Sequence, residues 1–297
     1  MIEQKHCPIC GSGQLNKLME VPDFRNKRES FQLQRCISCG FVLTSPRPQD
    51  ENLGEYYPKE DYSSHNEAPK GLFDKVYFEV QKRNLAFKKN HITGLCSVPG
   101  QLLDYGCGAG SFAAFMKDFG WDCEGVEPSA AAAEIAGKRL GKKVMAPNEF
   151  EPKANLYDII TLWHVLEHIP NFETVLAKLS QALKPGGYLL LALPNHKSLD
   201  AEYYGRYWAA WDVPLHLWHF GPEHINALAT KFGLEWQKPF PLPFDAYYVS
   251  MLSEQYKKNV FWPIAGFWRG WLSNTAAERS NLASSLTYVL KRPEKSR

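Results

Sequence analysis

"LLDYGCGAGSF", Leu102 to Phe112, sets Gly106, Gly108 and Gly110 on alternate positions behind a short apolar run. The run predicts a strand, and "SFAAFMKDFG" after it spaces Phe112, Phe115, Met116 and Phe119 as a helix does. Strand, glycine turn and helix open a Rossmann-like α/β unit. A second apolar run, "CEGVEP", ends in Glu127, twenty-three residues after Asp104, and an acid at the end of a second strand suits the hydroxyls of a ribose. The spacing also excludes ligands. A dinucleotide turn wants a third glycine where Ser111 stands, and a phosphate loop wants Gly-Lys followed by Ser or Thr, which is absent.

Around this unit, 297 residues allow one large domain and a small one, and 44% apolar content fills a sizeable core. A net charge of +2 gives no broad basic field for nucleic acid. No stretch reaches the ~18–20 continuous apolar residues of a membrane span, and the N-terminus does not read as a secretion signal, so the expected location is cytoplasmic.

Four of the seven cysteines form two C-x-x-C-G knuckles, Cys7/Cys10 and Cys36/Cys39, with twenty-five residues between them. Four thiolates suit a closed tetrahedral zinc site, and the following glycines let the chain turn there. A segment this short buries little, whereas structural zinc supplies on the order of 10 kcal/mol toward folding. A zinc ribbon over 1–48 is expected, with His6 facing solvent. A tyrosine-rich connector and helix follow over 49–97, carrying Tyr56, Tyr57, Tyr62 and His65. The basic residues Lys82, Arg83, Lys88 and Lys89 of that helix read as its solvent face or as a surface for an anion.

The pattern D-x-G-x-G-x-G at Asp104 to Gly110 resembles motif I of the class I S-adenosylmethionine-dependent methyltransferases. "YDIITLWHVLEHIPN" (157–171) and "LKPGGYLLLALPN" (183–195) are similar to that family's fourth strand with its helix and its fifth strand. The resemblance implies a seven-stranded Rossmann-like sheet over 98–297 that binds S-adenosylmethionine. Asp104 would pair with the cofactor's ammonium, Glu127 with its ribose, and Leu162 and Trp163 would line it. Asn148, after the third strand, is a further polar contact. "SLTYVLKRP" matches the family's last strand.

"YWAAWDVPLHLWHFGPEHI" (207–225) sets Asp212, His216, His219 and His224 among tryptophans, the composition of a ligand pocket. It resembles a D-x-P-x-H-x-x-H-F segment of methyltransferases linked to cell-surface glycan and lipopolysaccharide genes. From that, His216 is the expected base, Asp212 its orienter and His219 the second choice. His164 and His168 fall at i and i+4, on one face if that segment is helical, and a metal there needs a third ligand. "NVFWPIAGFWRGWL" (259–272) carries Phe261, Trp262, Phe267, Trp268 and Trp271 within an aromatic helical insertion near 250–282. It fits a lid, a homodimer contact or a peripheral contact with the inner membrane surface.

The expected reaction is methyl transfer to oxygen or carbon of a small-molecule, sugar or lipid-linked glycan acceptor. Two alternatives stay open: an RNA methyltransferase using the ribbon, and a non-catalytic interaction protein that still binds the cofactor. The first wants a basic ribbon, yet residues 1–50 hold seven Lys or Arg against five Asp or Glu.

Overall fold

The computed structural model describes residues 1–26, 29–57, 72–280 and 282–294. Tyr62 and His65 lie outside them. The chain begins with strands β1 (Leu15–Pro22), β2 (Ser30–Cys36) and β3 (Val42–Thr44), then helix α1 (Leu72–Leu95). The central unit runs β4 (Gln101–Tyr105), α2 (Ser111–Lys117), β5 (Asp122–Val126), α3 (Ala130–Leu140), β6 (Tyr157–Trp163), α4 (Phe172–Ala182), β7 (Leu183–Pro194) and α5 (Leu199–Tyr204). The remainder is β8 (Trp218–His219), α6 (Pro222–Lys231), β9 (Glu235–Pro241), α7 (Pro243–Tyr256), α8 (Trp262–Ser280) and β10 (Ser285–Lys291).

Six strands form the central mixed sheet in the order β5-β4-β6-β7-β10-β9. β5, β4, β6 and β7 are parallel, and β10 runs antiparallel between β7 and β9. Both faces are covered, which is why consecutive residues are apolar at Leu102–Leu103 and Leu189–Leu193. Alternate residues face different cores: Leu103, Ile160, Leu162, Leu189 and Leu191 one way, Leu102, Ile159, Leu190 and Ala192 the other. The fold is the expected Rossmann-like α/β class. The seventh strand is reduced to a single parallel bridge, Met145 beside Val126. Pro147, two residues on, lacks an N–H and turns the chain away.

The glycine turn has little slack. Gly106, Gly108 and Gly110 all have positive φ, at 77°, 54° and 75°. A Cβ on Gly110 would also lie 2.8 Å from Ala136 Cβ and 2.9 Å from its Cα. Gly110→Ala should therefore lose roughly 2–5 kcal/mol of stability from left-handed strain and overpacking, read as a lower denaturant midpoint.

The N-terminal module does not stop at residue 48. Its sheet has the order β1-β2-β3-β8, so a two-residue strand from the far side of the catalytic sequence supplies the fourth position. Thr44 Oγ1 donates to the His216 carbonyl at 2.7 Å, and His224 Nε2 donates to the Cys39 carbonyl at 3.1 Å. Cys7, Cys36, Phe41 and Leu43 belong to the same apolar core as β6 and β7.

From Trp262 onward the aromatic stretch is one continuous helix. α8 packs on α7 through Gly266 and Gly270, one turn apart: a Cβ on Gly270 would approach Tyr247 Cα to 2.7 Å, and one on Gly266 would meet Met251 Cα. The opposite side leaves Phe261, Ile264, Phe267, Trp268 and Trp271 exposed. Among the described residues, no helix is long and apolar enough to cross a membrane.

Candidate active site

Asp104, the last residue but one of β4, has 2% of its surface exposed. Its Oδ1 accepts from Thr161 Oγ1 at 2.8 Å. Burial raises this carboxyl to about 6, against the pull of Thr161 and of the Lys88 ammonium. Lys88 of α1 does not behave as solvent face. Its Nζ sits 4.0 Å from the Trp163 ring centroid and 5.9 Å from that of Phe112, between the fields of Asp245 and Asp104. Burial lowers the Lys88 pKa, opposed by those two carboxylates. An acid, a cation and two aromatic faces thus meet beside the glycine turn.

Glu127 anchors that turn to the end of β5. Its Oε2 accepts from Gly108 N and its Oε1 from Ser129 N, both at 2.9 Å. Each oxygen keeps a second lone pair for a ribose hydroxyl. Arg139 of α3, which sequence inspection passes over, clamps the turn from behind, donating to Ala109 O at 2.9 Å and Ser111 Oγ at 2.8 Å. Ser111 is thus a bonded residue where a third glycine would be. The cue was an arginine at the end of the next helix, indistinguishable in sequence from a surface charge.

Trp163 and Leu162 cannot both line this pocket. Strand periodicity puts Trp163 on the face of Asp104 and Thr161 and sends Leu162, with no exposed surface, into the opposite core. Leu162 is a packing residue. The Trp163 indole N–H is buried without an acceptor, as a ligand-facing donor would be before its ligand arrives. Asn148 lies exposed in the turn after Met145.

The histidines sort differently from expectation. His164 has φ 56°, so it shares no helical face with His168, which lies in a 3-10 turn, Leu166–His168. His164 Nε2 is 2.7 Å from Asp245 Oδ2 of α7, and its Nδ1 is 3.4 Å from Glu167 Oε1. Desolvation alone would lower this imidazole, but the Asp245 and Glu167 carboxylates raise it to about 10. With a third of its side chain exposed (34%), His164 joins the acid pair to the pocket rim.

A histidine whose folded pKa exceeds its unfolded value near 6.5 adds stability that is whole below pH 6.5 and fades as pH rises toward about 10. Wild type should therefore melt above His164→Gln at pH 6, with the gap closing above pH 10. A gap that stays constant across that range would refute the assignment.

Asp212 is not chiefly the orienter of His216. Its Oδ1 pairs with Arg25 of the N-terminal module at 2.6 Å, while its Oδ2 lies 3.8 Å from His216 Nε2. Burial raises Asp212 and Arg25 opposes the shift. His216 is buried and gives its Nδ1–H to the Ala210 carbonyl at 2.8 Å; burial lowers it to about 4. His219 Nε2 lies 3.1 Å from Thr44 Oγ1, which ties it to the N-terminal module. Tyr57 OH is 3.3 Å from His168 Nδ1, and Tyr56 OH donates to Glu29 Oε1 at 2.6 Å.

The four knuckle cysteines converge. Cys7 Sγ lies 3.5 Å from Cys39 Sγ, and Cys10 Sγ lies 3.5 Å from Cys36 Sγ. All four sulfurs are within 4.8 Å of one another. Zinc at ~2.3 Å from each corner of a tetrahedron spaces sulfurs by roughly 3.8 Å. Gly11 and Gly40 turn at φ 75° and 77° as the knuckles require. The donor set fits zinc.

Residues 77–238 match the family model described as "Methyltransferase domain". The chain is 33% identical over 149 residues to a ubiquinone biosynthesis O-methyltransferase of Bordetella avium, covering 46% of this chain and 62% of that one. It is 24% identical over 193 residues to the protein of the same name from Rhodopseudomonas palustris, covering 62% and 70%. The chain spans about half the length of other curated relatives it matches, 54% for that of Idiomarina loihiensis and 44% for that of Pectobacterium carotovorum. Among solved structures, it is similar to a geranyl diphosphate C-methyltransferase from Streptomyces coelicolor in complex with Mg2+, geranyl diphosphate and S-adenosyl-L-homocysteine. That likeness has a TM-score of 0.53 at 16% identity and covers 76% of this chain and 86% of that one. A putative sarcosine dimethylglycine methyltransferase from Galdieria sulphuraria gives a TM-score of 0.50 at 16% identity, covering 74% and 88%. At these identities the structural likeness concerns the fold.

Proposed function

Because the chain belongs to the methyltransferase-domain family, we propose that it transfers a methyl group from S-adenosylmethionine to a small-molecule, sugar or lipid-linked glycan acceptor, at oxygen or carbon. The observation that carries this reading is buried Asp104, within the field of Lys88, at the start of the glycine turn and on the same sheet face as Trp163. S-adenosylmethionine, when bound, supplies an electrophilic methyl group on a sulfonium, and the protein's task is chiefly alignment, worth up to ~7–11 kcal/mol. Asp104 takes the α-ammonium, Lys88 the carboxylate, and Glu127 the ribose. The faces of Trp163 and Phe112 suit a sulfonium.

In this reading the acceptor's proton goes to the Asp245 carboxylate, which His164 orients: the His164 nitrogens face Asp245 at 2.7 Å and Glu167 at 3.4 Å, so the ring itself has no site left to receive it. Zinc on Cys7, Cys10, Cys36 and Cys39 is structural in this reading. Support for a lipid-linked acceptor comes from the exposed aromatic side of α8. Beside it a pocket of about 390 Å³ brings Lys257 and Arg269 together with Tyr203 and Trp268, a setting for an anionic headgroup at a membrane surface.

The test is transfer of labelled methyl from S-adenosylmethionine to nucleotide sugars, lipid-linked saccharides, phenolic small molecules and RNA. Label in a saccharide or small molecule is expected. Label confined to RNA would replace this acceptor class, and binding of S-adenosylmethionine without turnover on any acceptor would favour the non-catalytic alternative. In the active assay Asp245→Asn should lower kcat by ~10²- to 10⁴-fold, and His164→Gln by less. Sedimentation with anionic vesicles, lost in Trp268→Ser/Trp271→Ser, tests the membrane contact against self-association.

A further inference from the structure

Behind the His164–Asp245 pair lies a second convergence of ligating atoms. Glu167, His168 and His216 each offer one atom within 4.8 Å of the other two. Both imidazoles already commit a nitrogen to the backbone. His216 Nδ1 is 2.8 Å from Ala210 O, and His168 Nδ1 is 3.1 Å from Leu215 O. A carbonyl only accepts, so both rings carry their proton on Nδ1, shared in His168 with Tyr57 OH at 3.3 Å, and are left with a bare lone pair on Nε2. Glu167 is 1% exposed, and among the described residues the one donor turned toward it is the distant His164 Nδ1, on Oε1; Oε2 has none. Its nearest cation is the His164 ring at 3.4 Å, whose other nitrogen is given to Asp245 at 2.7 Å.

Two imidazole lone pairs and a buried carboxylate, with no proton among them, repel one another unless a cation stands between. We infer that Glu167, His168 and His216 bind a divalent zinc-class metal ion through one carboxylate oxygen and two Nε2 atoms. Two histidines and one carboxylate suit zinc or iron(II), whereas magnesium and calcium favour oxygen throughout. The Nδ1–H to carbonyl bonds are the second shell that fixes the tautomer of a metal-ligating histidine. Bonds near 2.0–2.1 Å would draw the three ligands to roughly 3.4 Å from one another. The two segments that carry them are already fastened together, since Leu217 N donates to Glu167 O at 2.9 Å. This ion is distinct from the one suited to the four cysteines, and it sits one side chain behind His164. Asp212, the remaining acid nearby, is held by Arg25.

The test counts metal, without methyl donor, and so is independent of the methyl-transfer reading. After saturation with zinc and removal of excess, wild type should hold one more equivalent per chain than Glu167→Gln or His168→Gln. The amide that Glu167→Gln introduces would donate to the freed Nε2 lone pairs, so that variant keeps its fold. With cobalt(II), wild type should show visible ligand-field bands free of thiolate charge transfer, alongside the thiolate-rich bands of the cysteine site. The variants should keep only the latter. Equal metal content in wild type and the folded variants overturns the proposal and leaves a shared proton as the filler. Should neither variant fold, a wild-type cobalt spectrum of thiolate character alone overturns it as well.

Discussion

Asp104→Asn is expected to bind S-adenosylmethionine roughly 30- to 5,000-fold more weakly than wild type by calorimetry. The range is the ~2–5 kcal/mol that follows when one partner of a buried, charged hydrogen bond is removed. The carboxyl is 2% exposed, so water cannot substitute for it. Its neighbour Thr161 donates equally well to an amide oxygen, which lets the variant fold. A second signature comes from titration. Since burial holds Asp104 at about 6 while Thr161 and Lys88 oppose the shift, a bound ammonium favours the ionised form. Affinity should fall as pH drops below about 6, with proton release on binding between pH 5 and 7. Both effects should vanish in Asp104→Asn. Equal affinity in the two proteins would sink the assignment of this pocket.

If zinc fills the cysteine cluster, as proposed, its removal should have the largest effect on stability. Structural zinc contributes ~10–16 kcal/mol to small domains, comparable with or above the whole 5–15 kcal/mol of an ordinary fold. In a detachable ribbon that loss would stay local. Here β3 pairs with β8, Arg25 pairs with Asp212, and Cys7 and Cys36 sit in the central core. If only about 4 kcal/mol of the loss reaches the catalytic unit, its Tm falls by ~10 °C. Chelator treatment, or Cys36→Ser, should therefore lower the main calorimetric transition and abolish binding of S-adenosylmethionine near that temperature. An unchanged main transition, with a separate small one lost, would mean the two units are independent.

Local chemistry was legible in the sequence, and long-range pairing was not. Asp104, the three glycines and Glu127 stand within twenty-four residues, and their spacing alone carries the geometry of the turn. The knuckle cysteines are legible for the same reason. Lys88 was not, because a helix of mixed charge gives no sign of which lysine turns inward until Trp163 and Phe112 are placed beneath it. Asp245 pairs with His164 across eighty-one residues and opens a helix, where an acid looks like ordinary complement to the helix dipole. Asp212 and His216, at i and i+4, suggested a dyad. That pairing came from the resemblance of the segment; a left-handed Asp212, φ 37°, after a 3-10 turn gives its carboxylate to Arg25 instead. Leu162 failed on parity, since a strand cannot aim consecutive side chains into one pocket.

The two-residue strand β8 has a consequence for the order in which the protein is made. Thr44 leaves the ribosome about 175 residues before His219, which at 5–20 residues per second is roughly 10–35 s. For that interval the outer side of β3 is an unpaired edge, carrying Val42, Leu43 and Thr44 with no partner for their backbone groups. The nascent ribbon is thus a template for any passing strand, including that of another chain on the same message. Faster translation, or a chaperone resident at the exit tunnel, would shorten or cover this exposure, and yield on overproduction should depend on both.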